Sequence, residues 1–371
     1  MDTITLVLFV LGLVVLVVGA EVLVRGASNL ASAFGISPLV IGLTVVAYGT
    51  SAPELAVGIQ SSIQGQPGIV MGNVIGSNIS NILLILGTAA LFAPLIVDQQ
   101  LIRLEVPIMI GVSVFMLLLA LDGNISRIDG LILFVCIIAH AIWSIRSSRK
   151  ENEEVRKEYS QEHGNKQPPS NKALSILIQV AYIVAGLGLL VMGSDWLVDG
   201  AVAMARFFGV SDLIIGLTIV AVGTSLPELA TSIVAVMRGE RDIAVGNVIG
   251  SNISNILAIL GITGIFAPNG IAVAPEALGF DIPVMIAVAL ACLPIFFTGH
   301  VVARWEGGLF LTYYIAYLAY LVLIAMQHPA LPVYSNFMLL FIIPITVITL
   351  GIITIRALRD NRDTATGQKQ V

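Results

Sequence analysis

The chain has 371 residues, of which 57% are hydrophobic and only 11% are charged, and its mean hydropathy is +0.98. This composition excludes an ordinary water-soluble protein and is typical of a membrane protein that crosses the bilayer several times. The net charge of -5 says little about partners, because most charged residues fall between the apolar segments. We expect membrane lipid, and no nucleic acid, as the partner of this chain.

The first apolar segment is predicted to be a retained helix and not a signal peptide. Asp2 stands where a signal peptide has its basic residues, and the apolar run that follows is too long for a signal sequence.

Eleven apolar segments are long enough to cross a hydrocarbon layer of about 30 Å, which predicts an all-α polytopic membrane protein. Five precede a polar segment, 147–173, whose mixed charges, glycine and proline pair predict a solvated linker. Five follow it, and the last segment has no counterpart in the first half. The predicted spans are 3–24, 38–64, 68–94, 104–121, 128–146, 174–198, 212–238, 242–267, 278–298, 307–327 and 333–356.

Two stretches, 39–87 and 213–261, align without a gap at an offset of 174 residues and are identical at about two thirds of their positions. The similarity continues upstream, where Glu21 matches Asp195. Residues separated by this offset are called repeat-equivalent below.

The repeat divides the chain into a first half, 1–146, a linker, a second half, 174–327, and an additional span with a polar tail, 328–371. Because each half has an odd number of spans, the second enters the membrane from the opposite side. This predicts the inverted 5+5 repeat of many secondary transporters, with an eleventh helix added.

The distribution of basic residues predicts the orientation. With the N-terminus outside, sixteen basic residues fall on the cytoplasmic side and two, Arg127 and Arg206, fall outside. Positive charge favours the cytoplasmic face, so we place the linker and the C-terminus in the cytoplasm of a cell whose plasma membrane holds the protein.

Each repeat carries one glutamate, Glu54 or Glu228, within its first apolar segment. A carboxylate near the bilayer centre costs about 2.5 to 3.5 kcal/mol, so two at equivalent positions require a reason. The preceding prolines, Pro53 and Pro227, are expected to break their helices and to free carbonyl groups that must face protein or a wet cavity.

The next span presents polar side chains at intervals of four residues, which places them on one helix face. They are Asn73, Ser77 and Asn81, repeated as Asn247, Ser251 and Asn255. Gly72 and Gly76, like Gly246 and Gly250, form a small-xxx-small pattern that permits close helix packing.

These motifs offer oxygen ligands and neither histidine nor cysteine. Ca²⁺ takes 6 to 8 oxygen ligands, whereas zinc and copper prefer imidazole or thiolate. Two glutamates are neutralised by one Ca²⁺ or by two Na⁺, so the two ions can compete for one pocket.

The two stretches resemble the α-repeats of the cation/calcium exchanger superfamily. The pairing of GTSxPE with GNVIGSNISN is similar to its sodium/calcium exchanger branch, particularly the prokaryotic members. The resemblance covers both repeats and the ten-span plan, but neither the linker nor the eleventh span. It implies a secondary antiporter, and no enzyme, that exchanges cytoplasmic Ca²⁺ for external Na⁺ by alternating access without ATP or a cofactor, with a monomer sufficient for transport.

The resemblance also implies which residues hold the ions. Glu54 and Glu228 are the implied shared ligands for Ca²⁺ and Na⁺. The remaining implied ligands are Thr50, Thr224, Ser51 and Ser225 by hydroxyl or carbonyl oxygens, Ala47 and Ala221 by backbone carbonyls, Ser77 and Ser251 at flanking sodium sites, and Asn81 and Asn255 at the centre. Several relatives have aspartate at one of the last two positions, so the asparagine pair leaves stoichiometry and potassium dependence open.

Several residues also have structural explanations. Ser51-x-x-Glu54 and Ser225-x-x-Glu228 match capping boxes that restart a broken helix. Asn73 and Asn247 are expected to join helices by hydrogen bonds and not to bind ions.

Outside these motifs, we expect Asn78 and Asn252 to bond to backbone, and Glu21 and Asp195 to anchor spans at the interface. His140 is expected to pack in the core. Glu105 is expected at the start of a span, where its negative charge suits a helix N-terminus. Cys136 and Cys292 lie in apolar runs at unmatched positions, and no disulfide is expected.

The mechanism predicted from sequence has the first and sixth spans, which are rich in glycine, slide against the ion-binding core. Alternatives are a proton/calcium or potassium-dependent exchanger of the same superfamily, which imposed gradients would distinguish, and a cation channel. An enzymatic function has little support because the chain has neither a GxxxxGK[ST] loop nor an HExxH motif.

Overall fold

A computed structural model describes residues 3–34, 36–162, 172–209, 215, 219, 221–353 and 355. Within these residues, nine helices are long and apolar enough to cross a membrane, and a bent helix pair makes a tenth candidate span. The predicted span 212–238 is only partly described, so its complete path lies outside the described residues.

The helices are labelled in chain order. They are α1 Thr3–Phe34, α2 Pro38–Thr50, α3 Ala52–Ile63, α4 Pro67–Phe92, α5 Leu101–Ala120, α6 Arg127–Glu162, α7 Lys172–Phe207, α8 Leu226–Met237, α9 Arg241–Phe266, α10 Ala277–Phe297, α11 Arg304–Ala325 and α12 Leu331–Ile353, with a short helical segment Ala221–Gly223 before α8.

Three of the helices are much longer than their predicted spans. The helix α1 continues to Phe34, α6 continues from its apolar part, which ends at Arg146, to Glu162, and α7 continues to Phe207. The second extension enters the segment 147–173 that the sequence predicts as a solvated linker. Its many Glu, Lys and Arg residues are good helix formers, so the backbone stays helical after the apolar residues end. Residues 163–171 of that segment lie outside the described residues.

Within the described part of the chain, four two-residue strands join the halves of the molecule, and no sequence pattern indicated them. The strand β1, Leu95–Ile96, pairs antiparallel with β4, Val301–Val302. The strand β2, Asn124–Ile125, pairs in the same way with β3, Ile271–Ala272. Each pair takes one strand from each half, so the loops after α4 and α9 are tied to the opposite half.

The helices α1 and α7 pack against each other along a line of glycines spaced seven residues apart. A Cβ atom added to Gly19 would lie 2.8 Å from the backbone nitrogen of Leu190, and one added to Gly193 would lie 2.5 Å from that of Leu16. Gly12 likewise approaches the backbone of Gly193. The glycines therefore bring the backbones of α1 and α7 together, and the predicted sliding pair is itself one close-packed antiparallel unit.

A second close approach confirms the small-xxx-small prediction for one repeat. A Cβ atom on Gly246 would lie 2.7 Å from the carbonyl oxygen of Leu39, and one on Gly250 would collide with that of Leu43. The first half of α2 thus packs directly on α9, which carries the polar face of the second repeat. For Gly72 and Gly76 the equivalent partner segment is largely outside the described residues.

Candidate ion-binding site

The predicted breaks occur in both repeats. The axes of α2 and α3 differ by 44°, and Ser51 between them has φ -80° and ψ 11°. Ser225, immediately before α8, has nearly the same backbone angles, φ -89° and ψ 6°. Proline follows two residues later in each case, so the missing donor and the ring of Pro53 and Pro227 explain the interruption.

The capping-box explanation for these serines is wrong. Neither Ser51 nor Ser225 makes a side-chain cap hydrogen bond to the helix that follows it. Instead, the Ser51 hydroxyl donates to Glu228 Oε1 at 3.0 Å, and the Ser225 hydroxyl faces Glu54 Oε1 at 3.4 Å. Each serine hydroxyl therefore contacts the carboxylate of the opposite repeat.

The two carboxylates are buried at the centre of the bundle. Glu54 is 2% exposed and Glu228 is 1% exposed. Among the described residues, the second carboxylate oxygen of each, Oε2, has no hydrogen-bond partner. Because the serine of one repeat bonds to the glutamate of the other, the two acids are held in one site.

Two further asparagines are buried, one on α4 and one on α9. Asn81 and Asn255 are each 1% exposed, and their amide nitrogens donate to Asn252 Oδ1 at 2.9 Å and to Asn78 Oδ1 at 3.0 Å, respectively. Within the described part of the chain, their own Oδ1 atoms accept no hydrogen bond. A buried oxygen without a donor is costly unless a cation binds it, so these oxygens suit ion ligation.

The remaining predicted ligands are placed less uniformly. The Thr50 hydroxyl lies 3.1 Å from the Val46 carbonyl and 3.3 Å from the Ala47 carbonyl, so the latter is already beside a donor. Thr224 is half-buried and lies close to Glu54. Ala221 begins the short helical segment before the second break.

The two serines on the polar faces are both buried. Ser77 is 3% exposed and Ser251 is fully buried. The Ser251 hydroxyl lacks a hydrogen-bond partner among the described residues, which leaves its oxygen available to an ion.

Asn73 and Asn247 join helices, as the sequence predicts. The Asn73 amide donates to the Glu54 carbonyl at 3.0 Å, and the Asn247 amide faces the Glu228 carbonyl at 3.3 Å. Asn247 also bonds to Ser232 at 3.1 Å and accepts from Thr50 at 3.2 Å. These bonds fix the backbone that carries each acid.

The prediction for Asn78 and Asn252 is wrong. Their amide nitrogens face methionine sulfurs, Met285 Sδ and Met109 Sδ, both at 3.4 Å, while their oxygens accept from the asparagines of the site. Sequence reasoning missed this because the methionines lie on other helices and carry no motif. The only available signal was that all four asparagines repeat at the 174 offset.

A second polar pair lies apart from this site. His140 Nε2 is 3.0 Å from Glu105 Oε2, and Glu105 is fully buried. His140 is packed in the interior, as predicted, but Glu105 is paired with it and is not a free charge at a helix start. The two residues are 35 positions apart, so no local pattern connects them.

The regions toward Glu21 and Asp195 differ. Glu21 bonds to Arg25 at 2.7 Å and to Arg238. Its repeat-equivalent, Asp195, instead lines an open cavity of about 510 Å³ between α7 and the α2–α3 break, which Gly49 and Ala52 also line. The cavity therefore reaches the segment that carries the first glutamate, and Asp195 gives it a negative wall.

The site combines two acids with amide, hydroxyl and carbonyl oxygens in a buried position. Within the described residues, no cluster of three or more His, Cys, Asp or Glu side chains forms a typical metal centre. The oxygen atoms of such a donor set suit a hard cation.

Comparisons with known proteins agree with this chemistry. The family model described as "Sodium/calcium exchanger protein" matches residues 4–146 and 178–323. The chain is 36% identical over 353 residues to "Sodium/calcium exchanger MaX1" of Methanosarcina acetivorans, covering 86% of this chain and 99% of that protein. It is 42% identical over 273 residues to "Putative antiporter CaxA" of Alkalimonas amylolytica, covering 72% and 82%.

Solved structures are similar as well. A structure of the sodium-calcium exchanger NCX_Mj matches with 33% identity and a TM-score of 0.72, covering 86% of this chain and 99% of that one. The helical arrangement and the sequence similarity thus extend over nearly the whole molecule.

Proposed function

The chain belongs to the sodium/calcium exchanger family, a family of multi-pass membrane transporters, and we propose that it exchanges Ca²⁺ for Na⁺ by alternating access. The observation that carries this proposal is the crossed pair of serine–glutamate bonds. They join two buried acids from separate repeats, and both acids keep an oxygen free of hydrogen bonds within the described chain.

In this mechanism, Glu54 and Glu228 bind one Ca²⁺ or several Na⁺ near the membrane centre. A charged site is costly to enclose in lipid, whereas a neutralised one is not. Only the occupied site therefore lets the α1–α7 unit move against the core and exchange its opening between the two faces.

The full set of proposed ligands combines both repeats. Side chains provide most of the ligand atoms, and backbone carbonyl groups provide the others. The proposed ligands are Glu54, Glu228, Thr50, Thr224, Ser51, Ser225, Ser77, Ser251, Asn81, Asn255, Ala47 and Ala221.

The proposed membrane arrangement has eleven spans, as two inverted halves of five and one added helix. The N-terminus is outside and the linker and C-terminus are in the cytoplasm, since this places sixteen of eighteen basic residues inside. The cavity beside Asp195 then opens to the extracellular side, and the network of Glu21 with Arg238 closes the cytoplasmic side.

The coupling has an electrical consequence. If three Na⁺ exchange for one Ca²⁺, each cycle moves one net charge inward. The membrane potential then contributes about 2.3 kcal/mol per 100 mV to calcium extrusion.

The test is uptake of ⁴⁵Ca²⁺ into proteoliposomes that contain purified protein, with imposed gradients of Na⁺, K⁺ or H⁺. We expect uptake only with the sodium gradient, and loss of uptake in Glu54→Gln and in Glu228→Gln. Uptake that follows the proton gradient, or that needs no counter-ion, would replace the proposal by a proton exchanger or a channel. Unchanged uptake in both variants would remove the carboxylates from the site.

A further inference from the structure

Each asparagine of the proposed site ends a chain of hydrogen bonds that begins at a methionine. In one chain, the Asn78 amide nitrogen lies 3.4 Å from Met285 Sδ, and the Asn255 nitrogen lies 3.0 Å from Asn78 Oδ1. In the other, the Asn252 nitrogen lies 3.4 Å from Met109 Sδ, and the Asn81 nitrogen lies 2.9 Å from Asn252 Oδ1.

The two ends of a side-chain amide differ chemically, since its nitrogen only donates and its oxygen only accepts. A thioether sulfur accepts weakly and cannot donate. Met285 therefore requires the nitrogen of Asn78 to face it, which turns the Asn78 oxygen toward Asn255. That oxygen then requires the Asn255 nitrogen, so the Asn255 oxygen is directed away from the chain.

Burial stabilises this orientation of the side-chain amides. Asn78 and Asn252 are 2% exposed, and the methionines are 2% and 1% exposed. Water has little access to correct a reversed amide, and a reversed Asn255 would point an N–H group at the cation. A reversal would also leave two acceptors facing each other between Asn78 and Asn255.

We propose that Met285 and Met109, acting through Asn78 and Asn252, orient Asn255 and Asn81 so that their oxygens face the transported ion. The methionines and the outer asparagines are positioning residues, because they touch a ligand and not the ion. This inference rests on the proposed function, in which Asn81 and Asn255 are ligands.

The chains also cross between the repeats. Asn78 of the first repeat orients Asn255 of the second, and Asn252 of the second orients Asn81 of the first. Each half of the molecule thereby orients the side-chain amide that the other half contributes. In the same way, each serine hydroxyl contacts the glutamate of the opposite repeat.

The test compares Met285→Leu in two backgrounds, with equilibrium binding of ⁴⁵Ca²⁺ to purified protein as the readout. Leucine has nearly the volume of methionine but accepts no hydrogen bond, so packing is largely kept. We expect Met285→Leu to weaken Ca²⁺ binding by about three- to tenfold, the range expected for one hydrogen bond between membrane helices.

The second background is Asn255→Asp. A carboxylate presents oxygen at both ends and needs no orientation, so Met285→Leu should cost nothing there or should improve binding. A role in packing alone predicts the same effect of Met285→Leu in both backgrounds, and that result would overturn the proposal. An unaffected Met285→Leu protein in the asparagine background would overturn it as well.

Met116→Leu serves as the control, because Met116 is a buried methionine on α5, the helix that carries Met109, and belongs to neither chain. It should bind Ca²⁺ like the wild type. If the wild-type protein itself binds no Ca²⁺, the proposed function fails, and that result is distinct from failure of the orientation chain.

Discussion

At the centre of the bundle, the serine–glutamate contacts and the asparagine chains are repeated in both halves, whereas toward its two ends repeat-equivalent residues make different contacts. Ser51 and Ser225 both reach the glutamate of the other repeat, and the two asparagine chains match bond for bond. Away from the centre, Glu21 lies in a network with Arg25 and Arg238 while Asp195 faces a cavity.

The different contacts of Glu21 and Asp195 follow from sequence differences at the two ends. The equivalents of Arg25 and Arg238 are Asp199 and Gln64, so Asp195 has no equivalent arginine partners. Ser28 donates to Glu240 at 2.6 Å on the Glu21 side, and its equivalent is Val202, which has no hydroxyl. The end near Glu21 therefore has ionic closing contacts that the other end cannot reproduce.

The centre and the ends of the bundle meet two different requirements. An ion site used from both faces gains from symmetry, because the same ligands must serve both openings. In the proposed mechanism the ends act alternately as barriers, and unequal contacts there would make the two closed states unequal in free energy. We therefore expect matched effects from paired substitutions at the centre and unmatched effects at the ends.

Among the paired central substitutions other than those of the two glutamates, the largest effect on binding is expected at the serines. Ser51→Ala and Ser225→Ala each remove a hydrogen bond to a buried carboxylate, which should weaken Ca²⁺ binding by about ten- to hundredfold. The two losses should agree within a factor of about three if the centre is symmetric. Titration of ⁴⁵Ca²⁺ binding measures both, and a loss confined to one serine would contradict the symmetry.

The glycine line between α1 and α7 provides a second matched pair. Gly19→Ala and Gly193→Ala each place a methyl group against backbone atoms, which should destabilise the protein by about 1–3 kcal/mol. Thermal unfolding of the purified protein in detergent measures this. Gly188→Ala is the control, since a Cβ atom there meets no described atom within 4 Å. Equal stability of all three variants would show that close packing of these backbones is not required.

The smallest effects are expected at the ends, where partly exposed ion pairs contribute little. Arg238→Gln replaces the arginine near Glu21 by the residue that occupies the equivalent position, 64, at the other end. Gln64→Arg places an arginine at that other end, on the side of Asp195. Both should shift the protein away from the state with the Asp195 cavity open, by about two- to fivefold.

A cysteine at Ala52, in a protein with Cys136 and Cys292 replaced by alanine, reports the opening through its labelling rate by a membrane-impermeant thiol reagent. Labelling from the cavity side should slow in both variants. Arg103→Gln removes a positive charge on another helix and should leave the rate unchanged. An equal response to Arg103→Gln and Arg238→Gln would show that the loss of a positive charge, and not the loss of the network, changes the rate.

The sequence predicted the helical class, both helix breaks and the meeting of the two glutamates, because the repeat and its prolines are written in contiguous residues. It did not predict the partners of Ser51 or Asn78, since those bonds join residues 177 apart in the chain and depend on how the halves interdigitate. Met109 and Met285 were also missed, because an apolar residue in an apolar span is expected to contribute only to packing.

The most direct test of the central claim is the number of Ca²⁺ ions bound per chain. Equilibrium dialysis with ⁴⁵Ca²⁺ should give one ion at the central site of the wild type, and Glu54→Gln and Glu228→Gln should each abolish that binding. The double variant should be no worse than either single one, because both acids hold the same ion. Two bound ions, with one lost in each single variant, would contradict a shared site.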